Sequence, residues 1–84
     1  MKKKTEKIEK VSKEGYTRIH SFSDAIRSKK QGKIEALIIE ANKRYVAKGK
    51  ADNLKESKTV TEQGIKVLVA MGLVTLEEGN YKLL

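Results

Sequence analysis

The spacing of the apolar residues changes from helical to alternating at Gly72, and this change constrains the fold more than any other feature of the sequence. After Gly72, two β-rich runs, residues 73–76 and 81–84, flank residues 77–80. This loop has the length of a hairpin connection and contains a glycine for the positive φ angle. Two strands alone are marginally stable in water, so the hairpin must pack against helices. Its predicted apolar side consists of Val74, Leu76, Tyr81 and Leu83.

Helical segments precede the hairpin. Residues 33–48 carry apolar side chains at steps of three and four, and Gly49 follows as a C-terminal stop. Tyr45 falls within this apolar stripe and is predicted to pack in the core rather than to stack on a base. A two-turn helix is predicted over residues 50–56. A longer helix is predicted to run from Ser57, as its N-cap, to Met71, with Thr59 and Glu62 in capping-box spacing as a second possible start.

The segment before residue 33 is predicted to contain an extended stretch and a short helix. Residues 16–22 alternate in the manner of a strand, and Ser23 and Asp24 then supply oxygens that can start a helix ending near Lys30. His20 is the only imidazole and has no nucleophile or carboxylate motif beside it. It is interpreted as a surface or packing residue.

These elements predict an α+β fold that is mostly helical and ends in a two-stranded β-hairpin. A chain of 84 residues buries about 60% of its unfolded surface, which is enough for one small core. The predicted division is a basic flexible arm over residues 1–14, an N-terminal extension over 15–32, and the main domain over 33–84. Apolar residues between Tyr16 and Ile26 exceed the needs of such a core, so this region is the predicted interface of a homodimer, with packing within one chain as the alternative.

The positive charge is concentrated at the N-terminus. The chain has a net charge of +8, of which residues 1–33 hold +7 and residues 34–84 hold +1. An excess of lysine can attract a polyanion such as nucleic acid, or it can form a solvated surface rich in Lys and Glu. Residues 1–13 are too polar to fold on their own, so they are interpreted as a mobile basic arm or as a short exposed helix.

Several classes of function are disfavoured by composition. Without cysteine and with a single histidine, the chain offers no zinc site and no thiolate nucleophile. No paired carboxylates, base-activated nucleophile or phosphate loop is evident, so we expect no enzyme, no cofactor and no small-molecule substrate. No apolar run approaches the roughly 20 residues of a membrane span, and no signal peptide is evident, so we expect a cytoplasmic, soluble protein.

The second half of the chain resembles the winged helix-turn-helix family of DNA-binding domains. The resemblance covers about residues 34–84 and is densest from Ser57 to Leu83. A Ser that starts a helix, apolar residues later in that helix, a Gly-Leu-Val sequence opening a strand and a Gly-x-Tyr-x-Leu return match the family pattern in this order. The matching residues are Ser57, Ile65, Leu68, Gly72, Leu73, Val74, Gly79, Tyr81 and Leu83.

This resemblance implies a recognition helix over about residues 58–71 whose first turns enter the major groove of double-stranded DNA. Its polar side chains can read bases: Gln can pair with adenine, Lys with guanine, Glu with cytosine, and Thr can contact a thymine methyl. The candidate base contacts are Lys58, Thr59, Glu62, Gln63 and Lys66. The candidate phosphate contacts are Ser57, Lys43, Arg44, Lys48, Lys50, Lys55, Lys2, Lys3 and Lys4.

The function implied is that of a sequence-specific transcription regulator, expected to bind as a homodimer because one helix reads only a few base pairs. In size and in its content of Lys and Glu, the chain is similar to small winged-helix regulators of archaeal viruses and plasmids. Glu77 and Glu78 place negative charge at the tip of the hairpin, where phosphates would be repelled, and Lys55 and Glu56 occupy the small-residue turn of the family. A winged-helix protein-docking module and a non-specific nucleic-acid-binding protein therefore remain as alternatives.

Overall fold

The structure, a computed structural model, describes residues 14–84. The predicted arm, with Lys2, Lys3 and Lys4, lies outside these residues except for Glu14. The predicted α+β class is confirmed: the described residues form three helices and one three-stranded antiparallel sheet. In chain order the elements are α1 (Arg18–Lys29), β1 (Gln31–Lys33), α2 (Ile34–Ala47), α3 (Leu54–Ala70), β2 (Val74–Glu77) and β3 (Asn80–Leu83).

The predicted C-terminal hairpin is confirmed, and its turn is tighter than the four-residue loop of the prediction. Glu77 pairs with Asn80, so only Glu78 and Gly79 lie between the strands. Both have positive φ angles, 51° and 80°, as the two central residues of a type I′ turn require. Val74 and Tyr81 are buried as predicted and Leu83 is half-buried, whereas Leu76 is 42% exposed.

A third strand, β1, was not predicted from the sequence. It pairs antiparallel with β3, which gives the sheet order β1-β3-β2 and sets Gly32 opposite Tyr81. Residues 31–33 have no apolar or β-branched side chain, so their sequence carries no strand signal. The strand exists because β3 offers an unpaired edge, and two backbone hydrogen bonds flank the pairing: Leu83 N–H to the Lys30 carbonyl and Ile34 N–H to the Gly79 carbonyl.

Helix α2 agrees with its prediction to within one residue at each end. Leu37, Ile38 and Ala41 are buried along its apolar stripe, and Gly49 follows with a φ angle of 82°. The left-handed conformation at this glycine ends the helix without the steric cost that a side chain would add.

The prediction of an extended stretch over residues 16–22 is wrong, because α1 already begins at Arg18. Thr17 is its N-cap: the Thr17 hydroxyl accepts the N–H of His20, and the His20 Nδ1 accepts the N–H of Thr17 at 3.1 Å, which together form a capping box. His20 therefore has a structural role at a helix end. The predicted start at Ser23 and Asp24 lies in the middle of α1.

The predicted short helix over residues 50–56 and the predicted N-cap at Ser57 are also wrong. Helix α3 is continuous from Leu54, and Asn53 caps it by accepting the N–H of Glu56 at 3.1 Å. Ser57 lies in the first full turn of the helix. Gly72, with a φ angle of 77°, directly follows the C-cap residue Met71 and ends the helix as predicted.

One core runs through the described residues and across the predicted boundary at residue 33. It joins α1, α2, α3, β2 and β3. Its buried members are Phe22, Ala25, Ile26, Leu37, Ala41, Ile65, Val74 and Tyr81. The apolar residues of α1 thus pack within their own chain, with the exception of Ile19, which is exposed.

No helix within residues 14–84 combines the length and the apolar character that crossing a membrane requires.

Candidate nucleic-acid interface

The five candidate base contacts are all exposed and all belong to α3. The opposite side of this helix holds it to the core through Ser57, Thr61 and Ile65, which are buried. At about 100° per residue, Thr59, Gln63 and Lys66 point most directly away from these three buried residues. Lys55, Lys58 and Glu62 lie together on one side of that direction.

Two of the candidates also border α1. Thr59 and Gln63 line a groove between α3 and α1, together with Phe22 and Ile19 of α1. The Thr59 hydroxyl donates to the Lys55 carbonyl at 3.3 Å, which leaves its methyl group and its oxygen lone pairs for another contact. The exposed surface of α3 therefore has a charged side and an uncharged polar side that borders α1.

The candidate phosphate contacts do not form one group. Lys55 is exposed on the first turn of α3, and Lys43 lines a shallow corner between α2 and α3 beside Leu54. Lys50 is half-buried in the connection between these helices. These three lysines surround the start of α3.

Arg44 and Lys48 instead have partners within the chain. The Arg44 Nε lies 2.8 Å from the Glu40 Oε2, and the Lys48 ammonium lies 4.9 Å from the centre of the Tyr16 ring. Each of these two cations therefore already has a partner outside α3.

Ser57 is excluded from the candidate phosphate contacts. Its side chain is 2% exposed, and its hydroxyl donates to the Ile38 carbonyl of α2 at 2.8 Å. A hydroxyl that is buried and already donating cannot reach a phosphate. The expectation was wrong because it placed Ser57 at the helix start, whereas its hydrogen bond joins α3 to α2.

A buried arginine that the sequence interpretation did not single out holds the start of α3 in place. Arg18 of α1 is 8% exposed. Its Nη1 donates to the Asn42 Oδ1 at 3.0 Å, and its Nη2 donates to the Ala51 carbonyl at 2.9 Å. Its Nε lies 3.5 Å from Glu56, and its guanidinium carbon lies 4.1 Å from the centre of the Tyr45 ring. One side chain thus joins α1, α2, the α2–α3 connection and the first turn of α3.

Asn42 extends this set of bonds along the connection. Besides accepting from Arg18, its Oδ1 accepts the N–H of Asn53 at 3.2 Å, and its Nδ2 donates to Asp52 at 2.7 Å. The bonds of Arg18 and Asn42 hold the backbone at Ala51 and at the α3 N-cap Asn53. Hydropathy gave no signal for Arg18 or Asn42, because both are polar residues at buried positions.

Tyr16 lies beside this cluster and offers a pH-dependent test of the packing at the start of α1. Burial, followed by a hydrogen bond in which its hydroxyl donates to Asp24 at 2.9 Å, raises the pKa of Tyr16 from 10.0 to about 12. The native state then holds a proton that the unfolded chain loses above pH 10. The raised pKa therefore adds about 2–3 kcal/mol to the free energy of unfolding. This stabilisation is complete below pH 10 and is lost as the pH rises to 12.

We therefore expect the phenol absorbance of the wild type to include a titration near pH 12 that is absent from Tyr16→Phe. Across pH 10 to 12, the free energy of unfolding should fall less steeply in Tyr16→Phe than in the wild type. Tyr81→Phe serves as a control, because burial also raises the pKa of Tyr81 but no hydrogen bond to Asp24 is involved. A difference spectrum between wild type and Tyr16→Phe with its midpoint near pH 10 would contradict this expectation.

No family model, curated protein or solved structure matches the chain. Within residues 14–84, no group of three or more His, Cys, Asp or Glu side chains is placed to hold a metal ion. The interpretation of the exposed α3 face therefore depends on its own geometry and chemistry.

Proposed function

We propose that the chain is a winged helix-turn-helix protein that binds double-stranded DNA sequence-specifically and regulates transcription. The exposed face of α3 would lie in the major groove, whose width of about 12 Å admits an α-helix. The observation that carries the proposal is the joint exposure of five side chains able to bond base edges, on a helix held rigidly from behind.

The order of the elements supports the same proposal. Helices α2 and α3 are joined by residues 48–53, and the hairpin of β2 and β3 follows α3 directly. The resemblance of residues 34–84 implies this order from α3 onward, whereas the short helix that it implies over residues 50–56 is not formed. Lys43, Lys50 and Lys55 around the start of α3 would contact phosphates and position the helix without reading sequence.

The hairpin would not contribute contacts to phosphates. Glu77 and Glu78 at its tip are both exposed, and two carboxylates close to phosphates are repelled. Affinity would come from the lysines near α3 and from the basic residues at the N-terminus, which hold most of the net charge.

The experiment is a selection of bound duplexes from a random library, followed by titrations of selected and random duplexes at several salt concentrations. We expect a selected sequence to bind at least about a thousandfold more tightly than random DNA, and log affinity to fall linearly with log salt. Equal affinity for both would favour the non-specific alternative. Failure to bind any duplex at low salt would favour the protein-docking module.

Substitutions on α3 test which residues read the sequence. Gln63→Ala and Lys66→Ala are each expected to reduce discrimination between selected and altered duplexes by about 1–3 kcal/mol, because each removes a base contact. Lys29→Ala is the matched control, since Lys29 is an exposed lysine on α1 and its loss should leave the base preference unchanged. If both α3 variants keep the wild-type preference, α3 is not the reading helix.

A further inference from the structure

We infer that the groove between α1 and α3 is the surface through which two copies of this chain associate. The groove has a volume of about 520 Å³, and eight residues of the two helices line it. None of these eight is charged, although 36% of the chain consists of charged residues. An uncharged, mostly apolar surface of this kind, with polar residues at its edge, is typical of a protein interaction site.

The apolar side chains at this groove are exposed to a degree that packing within one copy does not require. Ile19 of α1 is 68% exposed and Val67 of α3 is 56% exposed. Gly64 also lines the groove without a side chain, and the Phe22 ring lies against its backbone. The result is a depression with a prominent isoleucine at its rim, a shape that can accept the same isoleucine from a second copy.

The charge of the chain decides which partner suits this groove. A partner attracted by the net charge of +8 would be acidic and would be met by lysine or arginine at the contact, whereas the polar residues here are Thr59 and Gln63. Two copies of a basic chain repel each other, and they can approach most easily where neither presents a charge. A two-fold pairing sets the same uncharged surface of each copy against the other.

This association would cover Thr59 and Gln63, so a paired copy could offer DNA only Lys58, Glu62 and Lys66 of the five candidate base contacts. At about 100° per residue, Val60 and Val67 point away from Lys58, Glu62 and Lys66. The inference concerns the free protein and goes beyond the proposed function, because it holds whether or not the chain binds DNA. It also narrows the expected dimer interface from residues 16–26 to Ile19 and the α3 side of the groove, since Tyr16, Phe22, Ala25 and Ile26 are buried in the core.

Sedimentation velocity of the complete chain without DNA tests the inference. We expect the wild type to sediment with twice the mass of the 9.5 kDa chain as its concentration rises. Ile19→Glu and Val67→Glu should each weaken association by about tenfold or more, since each sets a charge in the uncharged contact. Both positions are largely exposed, so circular dichroism should show unchanged helix content.

The matched control is Ile39→Glu. Ile39 is 58% exposed on α2 and does not line the groove, so this variant should associate like the wild type. A wild type that stays monomeric at all concentrations would overturn the inference, as would equal weakening by the Ile39, Ile19 and Val67 variants. Because these measurements contain no DNA, neither result decides whether the chain binds DNA.

Discussion

Replacing Arg18 by methionine is expected to lower the free energy of unfolding by about 3–4 kcal/mol, because the substitution removes two hydrogen bonds from a charged donor in a buried place. The Ala51 carbonyl loses the guanidinium that bonds it, and the Asn42 Oδ1 keeps only the N–H of Asn53. Methionine retains much of the side-chain length, so the loss is one of polar contacts more than of volume. Urea unfolding with linear extrapolation measures the effect.

The interaction between Arg18 and Glu56 should account for little of this loss. The Glu56 side chain is 62% exposed, and ion pairs open to solvent contribute about 1 kcal/mol or less. Glu56→Gln is therefore expected to cost much less than Arg18→Met. Arg18→Lys should lie between them, since an ammonium keeps the charge but lacks the planar fork that reaches both Asn42 and Ala51.

Arg27→Met is the control for arginine content and helix propensity. Arg27 also lies on α1, but its side chain is 69% exposed and its ion pair with Asp24 is at the surface. We expect a change within about 0.5 kcal/mol. In Arg18→Met, but not in Arg27→Met, the Asn53 amide should exchange its hydrogen faster, because the network that holds the start of α3 is weakened. Equal stability losses in the two variants would show that the buried bonds contribute nothing specific.

The second large effect is expected at the contact between α1 and α3. Phe22→Ala should cost about 3–5 kcal/mol, since the ring is buried and leaves a cavity. A methyl group added at Gly64 would lie 2.7 Å from the Phe22 Cζ and 2.8 Å from its Cδ2, closer than carbon atoms pack. Overpacking in Gly64→Ala should therefore lower the free energy of unfolding by about 1–3 kcal/mol. The better helix propensity of alanine offsets about 1 kcal/mol of this loss.

The sign of the Gly64→Ala effect should reverse when Phe22 is absent. In the Phe22→Ala background the added methyl group has room, so only the gain in helix propensity, about 1 kcal/mol, remains. The double-mutant cycle then measures the contact between the two residues. Gly72→Ala is the control: nothing lies within 4 Å of a Cβ at this position, and its cost arises from the φ angle of 77°, so it should be the same in both backgrounds. The same Gly64→Ala effect in both would rule out the close contact.

The errors in the predicted helix starts have one physical cause. Helix α1 buries Arg18 and Ser21, and α3 buries Ser57 and Thr61, so the inward stripes of both helices begin with polar residues. A prediction from apolar spacing therefore starts such a helix at its first hydrophobic residue and misses the polar turn before it. Ser21 and Ser57 are satisfied by hydrogen bonds, and Arg18 is bonded through both Nη atoms, which makes their burial possible. Within residues 14–84, the Thr61 hydroxyl and the Arg18 Nε have no hydrogen-bond partner. The Arg18 and Ser57 bonds go to residues distant in the sequence, which no local pattern indicates.

By itself, the sequence determined α2, the C-terminal hairpin, the glycines that end two helices and the exposed polar residues of α3, because spacing and local backbone preference decide these features. Only the tertiary structure decided β1, the starts of α1 and α3, the internal role of Ser57 and the network around Arg18. The strand β1, the role of Ser57 and the network around Arg18 each depend on a partner elsewhere in the chain: the open edge of β3, the Ile38 carbonyl, or the α2–α3 connection. The starts of α1 and α3 have local caps, Thr17 and Asn53, but the first inward residues of both helices are polar. Burial of Ser57 and of the Arg18 guanidinium is possible because the fold brings acceptors to them, and these contacts exist only after the chain has folded.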